Sequence, residues 1–214
     1  MEYPFKFDFP CNTVIYGPSN SGKSTFVQKV LETPGLWEEP IQKIHYFYGI
    51  ESEALNQMKK RFPDAIFIKG LPEDLESLFD PKINEVAIFD DLGAEIEQSK
   101  EFNLFLSRIT HHKRVHAFVL CQFIFGPGKY RREQASNYAV IILFPCKRSI
   151  HQIQTLGRQL GIGDNKFLTQ AYLDATKHPH SFLIADLRQS VPIEQRLLTN
   201  IFLENEPYAV CVYI

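Results

Sequence analysis

Residues 12–25 read NTVIYGPSNSGKST. The first five, rich in β-branched and aromatic side chains, predict a strand over 12–16 that runs straight into Gly17-Pro18-Ser19-Asn20-Ser21-Gly22-Lys23-Ser24. The octet fits the G-x4-G-K-[ST] spacing throughout. A helix should cover 24–31, stopped by Pro34-Gly35. In a strand–loop–helix of this kind, successive backbone N–H groups curl round phosphate oxygens, and the helix N-terminus adds positive potential. Gly22 lets the backbone come close, and Lys23 bridges β- and γ-phosphate oxygens. Ser24 offers its Oγ to Mg²⁺, and Thr25 reaches an α-phosphate. Residues 17–25 are therefore expected to hold a nucleoside triphosphate.

Such a loop needs an acid on a neighbouring strand to hold the metal. The apolar run 85–90 (EVAIFD) ends in Asp90, followed at once by Asp91. Asp90 is expected on the metal side, and Asp91 is placed to polarise a water beyond the γ-phosphate. A second acid suits hydrolysis better than transfer to a small acceptor. The DDLG text also matches the D-x-x-G of GTPases. Those enzymes read guanine with N-K-x-D after a later strand, whereas here the nearest text, Asn165-Lys166-Phe167-Leu168, lacks the acid. ATP is the expected nucleotide. Gln122 follows the apolar run 115–121 (VHAFVLC). If that run forms a strand between the phosphate-loop strand and the acidic strand, the Gln122 amide faces the γ-phosphate. There it can donate to a phosphate oxygen and accept from water.

Elsewhere, strands are expected at 43–48, 65–68, 139–144, 181–187 and 208–213. Helices are expected at 52–62, 73–79, 100–111, 150–160 and 166–176. Near-continuous apolar strands alternating with helices predict an α/β protein. The expected architecture is a single P-loop NTPase domain over 1–214, a three-layer αβα sandwich on a mostly parallel RecA/FtsK-like sheet. The last two strands are candidates for an antiparallel edge.

The chain has 214 residues, 44% of them hydrophobic and 22% charged, and 18 phenylalanines to fill a core. No apolar run approaches the roughly 20 residues a membrane helix needs. The N-terminal MEYPFKFDFP lacks the basic-then-apolar layout of a secretory signal. The expectation is an intracellular protein without a membrane partner. The four cysteines, Cys11, Cys121, Cys146 and Cys211, form no C-x-x-C pair and read as reduced thiols. A net charge of −2 gives no overall attraction to nucleic acid, so any DNA contact needs a local basic patch.

The combination GPSNSGKST, VAIFDDL and THHKRVHAFVLCQFIF resembles the genome-packaging ATPases of the FtsK/HerA superfamily. It looks most like the branch of large eukaryotic DNA viruses and Polinton (Maverick) elements. AVIILFPCKRSIHQIQTLGRQLG is similar to that branch's strand-then-helix after the glutamine. HSFLIADLRQSVPIEQRLLTNIF is similar to its C-terminal signature, a strand ending in Asp before an Arg. Phe123 stands where relatives commonly carry Asn. The resemblance implies a homo-oligomeric ring that hydrolyses ATP with Mg²⁺ and drives double-stranded DNA into a preformed capsid. Portal or vertex proteins are then implied partners, and the host nucleus or a virion assembly site the implied location. The resemblance assigns roles to Lys23, Ser24, Asp90, Asp91 and Gln122 that agree with the residue reading.

A ring ATPase usually needs an arginine from the neighbouring subunit. Arg108, Arg114, Arg131, Arg132, Arg148, Arg158 and Arg196 are the choices, with Arg114 and Arg131 preferred because both flank the Gln122 strand. The stretch KYRRE, 129–133, and Lys147-Arg148 are the local cationic patches that could track phosphates. The pair His112 and His116 could share a helical face only if the helix continued, which the strand text disfavours. The alternative function is a small nucleotide or nucleoside kinase, with GPGKYRRE as an Arg-rich lid.

Overall fold

The strand β1 (Cys11–Tyr16) is buried along its whole length, as an apolar run covered on both faces should be. The computed structural model describes residues 3, 5–146, 148, 150–161, 166–202 and 209–211. After β1 come α1 (Lys23–Leu31), β2 (Lys43–Tyr48), α2 (Glu53–Arg61), β3 (Ile66–Lys69), β4 (Glu85–Asp90) and α3 (Gly93–Gln98). A continuous helical stretch follows, made of α4 (Lys100–Leu104), a π-type turn (Phe105–Ile109) and α5 (Thr110–His112). The chain continues through β5 (Val115–Cys121), α6 (Arg131–Ser136), β6 (Val140–Leu143), α7 (Ile150–Leu160) and α8 (Phe167–Ala175). It ends, among the described residues, in β7 (Leu183–Asp186), β8 (Leu197–Thr199) and β9 (Ala209–Cys211).

The strands form one sheet ordered β3-β2-β4-β5-β1-β6-β7-β8-β9. The six strands from β3 to β6 are parallel, and β7, β8 and β9 extend the sheet antiparallel. Side-chain alternation sorts the core into two layers. Val14, Tyr16, Phe47 and Phe89 face Phe102, Phe105, Ile153 and Leu168 on one side. Ile15, Ile88 and Phe118 face α1, α2 and the N-terminal Phe5, Phe7 and Phe9 on the other. Phe89 stacks on Phe47 with ring centres 4.7 Å apart and takes the edge of Phe102 at 4.9 Å, so β4 is locked on the face that carries α4.

The three-layer α/β sheet with an antiparallel C-terminal edge is as expected, but the edge is wider by one strand. The three-residue β8 was too short to read as a run. The expected strand at 208–213 is β9 for its described part; Tyr208 and 212–213 lie outside the described residues, as do Lys147 and Asn165. The stretch 73–79 is not a regular helix: only a 3₁₀ turn forms, Glu76–Leu78. The short helices α3 and α6 were not anticipated, because tertiary contacts rather than periodicity hold them.

Candidate active site

Because β5 lies between β4 and β1, the C-terminal ends of these three parallel strands deliver their next residues to one edge of the sheet. The Gly17 N–H donates to the Cys121 carbonyl at 3.1 Å and ties the phosphate loop to β5. The Ser21 N–H turns back to the Pro18 carbonyl at 3.2 Å. Gly22 caps α1 with φ of 105°, a left-handed conformation that a side chain rarely takes. Lys23 Nζ donates to the Gly17 and Pro18 carbonyls at 2.7 and 3.0 Å, so the ammonium lies across the mouth of the loop. Burial pushes its pKa below the usual lysine value, against the opposing pull of Asp90.

Ser24 Oγ donates to Asp90 Oδ2 at 2.9 Å, and the Tyr46 hydroxyl donates to the same oxygen at 2.6 Å. Asp90 on β4 and Ser24 on α1 thus already touch. Asp91 takes φ of 57°, which turns the chain sharply out of β4. Close approach of β2 allows this: Gly49 N–H donates to the Asp90 carbonyl at 3.0 Å, and a Cβ on Gly49 would overlap the Asp91 carbonyl oxygen. Asp91 and Gln122 are both exposed. Together with Lys23, Ser24, Thr25 and Asp90 they line a cavity of about 720 Å³, a size suited to a nucleotide.

The chain's own groups fit a triphosphate and its Mg²⁺. The Ser24 hydroxyl and the Asp90 carboxylate are hard oxygen donors at one point, as Mg²⁺ requires. Inside the loop, the buried Ser21 Oγ has no hydrogen-bond partner, an orphan that an anion's oxygens would satisfy. Bound there, the metal would supply charge neutralisation at the phosphates.

The fold is that of the P-loop ATPases. The structure is similar to B204, the DNA-packaging ATPase from Sulfolobus turreted icosahedral virus, at 15% identity and TM-score 0.53, over 86% of this chain and 96% of that one. It is also similar to the genome packaging NTPase B204 from Sulfolobus turreted icosahedral virus 2 in complex with ATP-γS, at 15% identity and TM-score 0.51, over 85% and 95% of the two chains. No protein-family model matches the chain, and no curated protein matches its sequence.

The preferred arginines do not reach this site within the subunit. Arg114 precedes β5, at the sheet edge opposite Gln122, and is held by Glu39 at 2.7 and 2.9 Å and by the Asn84 amide oxygen at 3.0 Å. Arg131 starts α6 with its side chain only 12% exposed, in an ion pair with Glu97. Its other nitrogens donate to the carbonyls of Phe123 and Ile124. Arg108, Arg132, Arg148 and Arg158 are exposed. Within KYRRE, then, the Arg131 side chain is held inside the subunit, while Lys129 and Arg132 face solvent. Asp186 and Arg188 of the C-terminal signature pair with each other, and Arg188 also reaches Asp8 at 3.1 Å, so they brace the N-terminal segment.

The histidines divide as the strand text implied: His112 closes α5 and His116 lies inside β5. Asp8, Cys11 and His116 offer ligand atoms within 4.8 Å of one another. Both His116 nitrogens are already engaged, by the Asp8 carbonyl at 2.9 Å and Thr13 Oγ1 at 3.0 Å.

Two residues escaped the sequence reading. Tyr46 holds Asp90, but its register against β4 is not visible in the text KIHYFY. His180, just before β7, places Nδ1 3.0 Å from the Ser21 carbonyl and lines the cavity. Only a histidine in a loop 158 positions beyond Gly22 marks it, and distance along the chain hides that.

Proposed function

We propose that the chain is the ATP-hydrolysing subunit of a ring motor that translocates double-stranded DNA into a viral-type capsid. The observation that carries the hydrolase part is the convergence of Asp91 and Gln122 on the cavity of Lys23, Ser24 and Asp90. Asp90 with Ser24 serves the metal, which leaves Asp91 to polarise water and Gln122 to contact the γ-phosphate. A kinase would need an open lid over an acceptor. The segment best suited to that role, GPGKYRRE, is tied down through Arg131 to Glu97.

The DNA and capsid part is supported by the fold shared with two viral packaging ATPases and by the C-terminal resemblance to the Polinton and large-DNA-virus branch. Double-stranded DNA, neighbouring copies of the chain and a capsid portal or vertex are the partners this reading requires, at a nuclear or virion assembly site. No helix among the described residues is long and apolar enough to cross a membrane.

The test is ATP turnover by the purified chain with and without duplex DNA, alongside the oligomer mass. The reading expects a multimer whose turnover rises on addition of DNA. One unchanged rate in both conditions, for monomer and multimer alike, contradicts it. Phosphate transfer to a nucleoside would favour the kinase instead.

A further inference from the structure

Asp91 and Gln122 come from different strands, yet their following segments are fastened together. The helix α3 begins two residues after Asp91, and Glu97 lies near its end. The Gln122 loop folds over that helix. Arg131 pairs with Glu97 while donating to the Phe123 and Ile124 carbonyls, the two residues directly after Gln122. The Tyr130 N–H donates to the Glu97 carbonyl at 3.2 Å. Gln134 Nε2 donates to the Ile96 carbonyl at 2.7 Å from a fully buried position. A Cβ on Gly128 would collide with Glu97. From the far side, Gln152 on α7 accepts the Ile124 N–H at 3.3 Å.

Glu97 is 19% exposed and Arg131 12%, so the pair is largely withdrawn from water, where attraction is screened least. A guanidinium suits the task because its three nitrogens spread donors over a planar fork that spans a carboxylate and two carbonyls, whereas an ammonium's donors all sit on one nitrogen.

We propose that Glu97 and Arg131 are positioning residues that clamp the Gln122 loop to the helix after Asp91, so that the water-polarising acid and the γ-phosphate amide hold one geometry. Arg131 then acts inside its own subunit and not on a neighbour's nucleotide. The inference rests on the hydrolase reading for its catalytic consequence but not for the clamp itself.

The test uses the full chain with Glu97→Gln and Arg131→Lys, both conservative enough to keep the fold. Amide hydrogen exchange reads the clamp without requiring turnover. Exchange over 123–131 and over 91–98 should rise together in each variant, with β7 unchanged. A rise confined to one segment, or none, overturns the clamp. ATP turnover reads the consequence. A misplaced group costs about 100-fold, so kcat should fall by about 10- to 100-fold while Mg²⁺·ATP affinity stays within about twofold. In a Gln122→Ala background, Arg131→Lys should cost almost nothing more; an equal loss in both backgrounds overturns the positioning role. Recovery of turnover on mixing Arg131→Ala with Lys23→Ala subunits would instead make Arg131 trans-acting. A wild type that binds but never hydrolyses ATP refutes the function reading and leaves the exchange result to decide the clamp.

Discussion

Asp90 Oδ2 is asked to accept from both Ser24 and Tyr46, and this shared oxygen is the hinge of the site at the residue scale. Tyr46 is 1% exposed, and burial, reinforced by the Asp90 charge, pushes its pKa up, so the phenol stays a donor at every working pH. The hydroxyl fixes the orientation of the carboxylate that the proposed site gives to Mg²⁺. Replacing Tyr46 by Phe should therefore raise the Mg²⁺ requirement by about 10-fold, in the range for groups that orient metal ligands. The measurement is the Mg²⁺ concentration for half-maximal turnover, with ATP saturating. At the same scale the sequence was informative where chemistry and spacing are local. Ser19, Asn20, Gly22, Lys23, Ser24 and Thr25 line one cavity together with Asp90 and Asp91. Tyr46 and His180 were invisible because their contacts depend on register and on long-range packing. For Arg114 and Arg131 the text could not say which end of the strand each would sit at or what holds the side chain within the subunit: Glu39 with Asn84 for the first and Glu97 for the second.

Among the elements, the junction of β2 and β4 sets where Asp91 points. Gly49 is the residue that lets the two strand ends approach. Gly49→Ala should force them apart and cost about 1–3 kcal/mol of stability, the usual scale for overpacking. Thermal melting with and without nucleotide measures the loss. On the other face of β4, Phe89 fills the space between Phe47 and Phe102. Phe89→Ala should cost about 3–5 kcal/mol by denaturant unfolding. The long strands were legible because they are continuous apolar runs bounded by turn residues; 43–48, 85–90 and 115–121 coincide with β2, β4 and β5. The placing of Gln122 was conditional on its strand lying between the acidic and phosphate-loop strands, and β5 does lie between β4 and β1. What the text did not carry were α3, α6 and β8. Each is six residues or fewer, and none builds a periodic pattern long enough to stand out from a loop.

For the molecule as a whole, His116 links acid stability to the N-terminal segment. It is fully buried between the phenylalanine-rich segment and the sheet, donating through Nδ1 to the Asp8 carbonyl and accepting from Thr13 at Nε2. Burial pushes its pKa down to about 4, against the opposing pull of Asp8. The unfolded chain therefore binds a proton more readily. Its stabilising contribution is complete above about 6.5 and is lost as pH falls towards 4. About 3 kcal/mol of unfolding free energy should disappear across that window. His116→Gln should flatten the slope measured by denaturant unfolding at a series of pH values. The larger claim is that two separated stretches of chain, the phosphate loop and the twin acids, make one hydrolytic centre. Mg²⁺·ATP binding and single-turnover hydrolysis by wild type and Asp91→Asn test it most directly. The account predicts equal binding and a fall in rate of about 10²- to 10⁴-fold, the usual worth of a positioned base. An Asp91→Asn protein that hydrolyses ATP as fast as the wild type would contradict it.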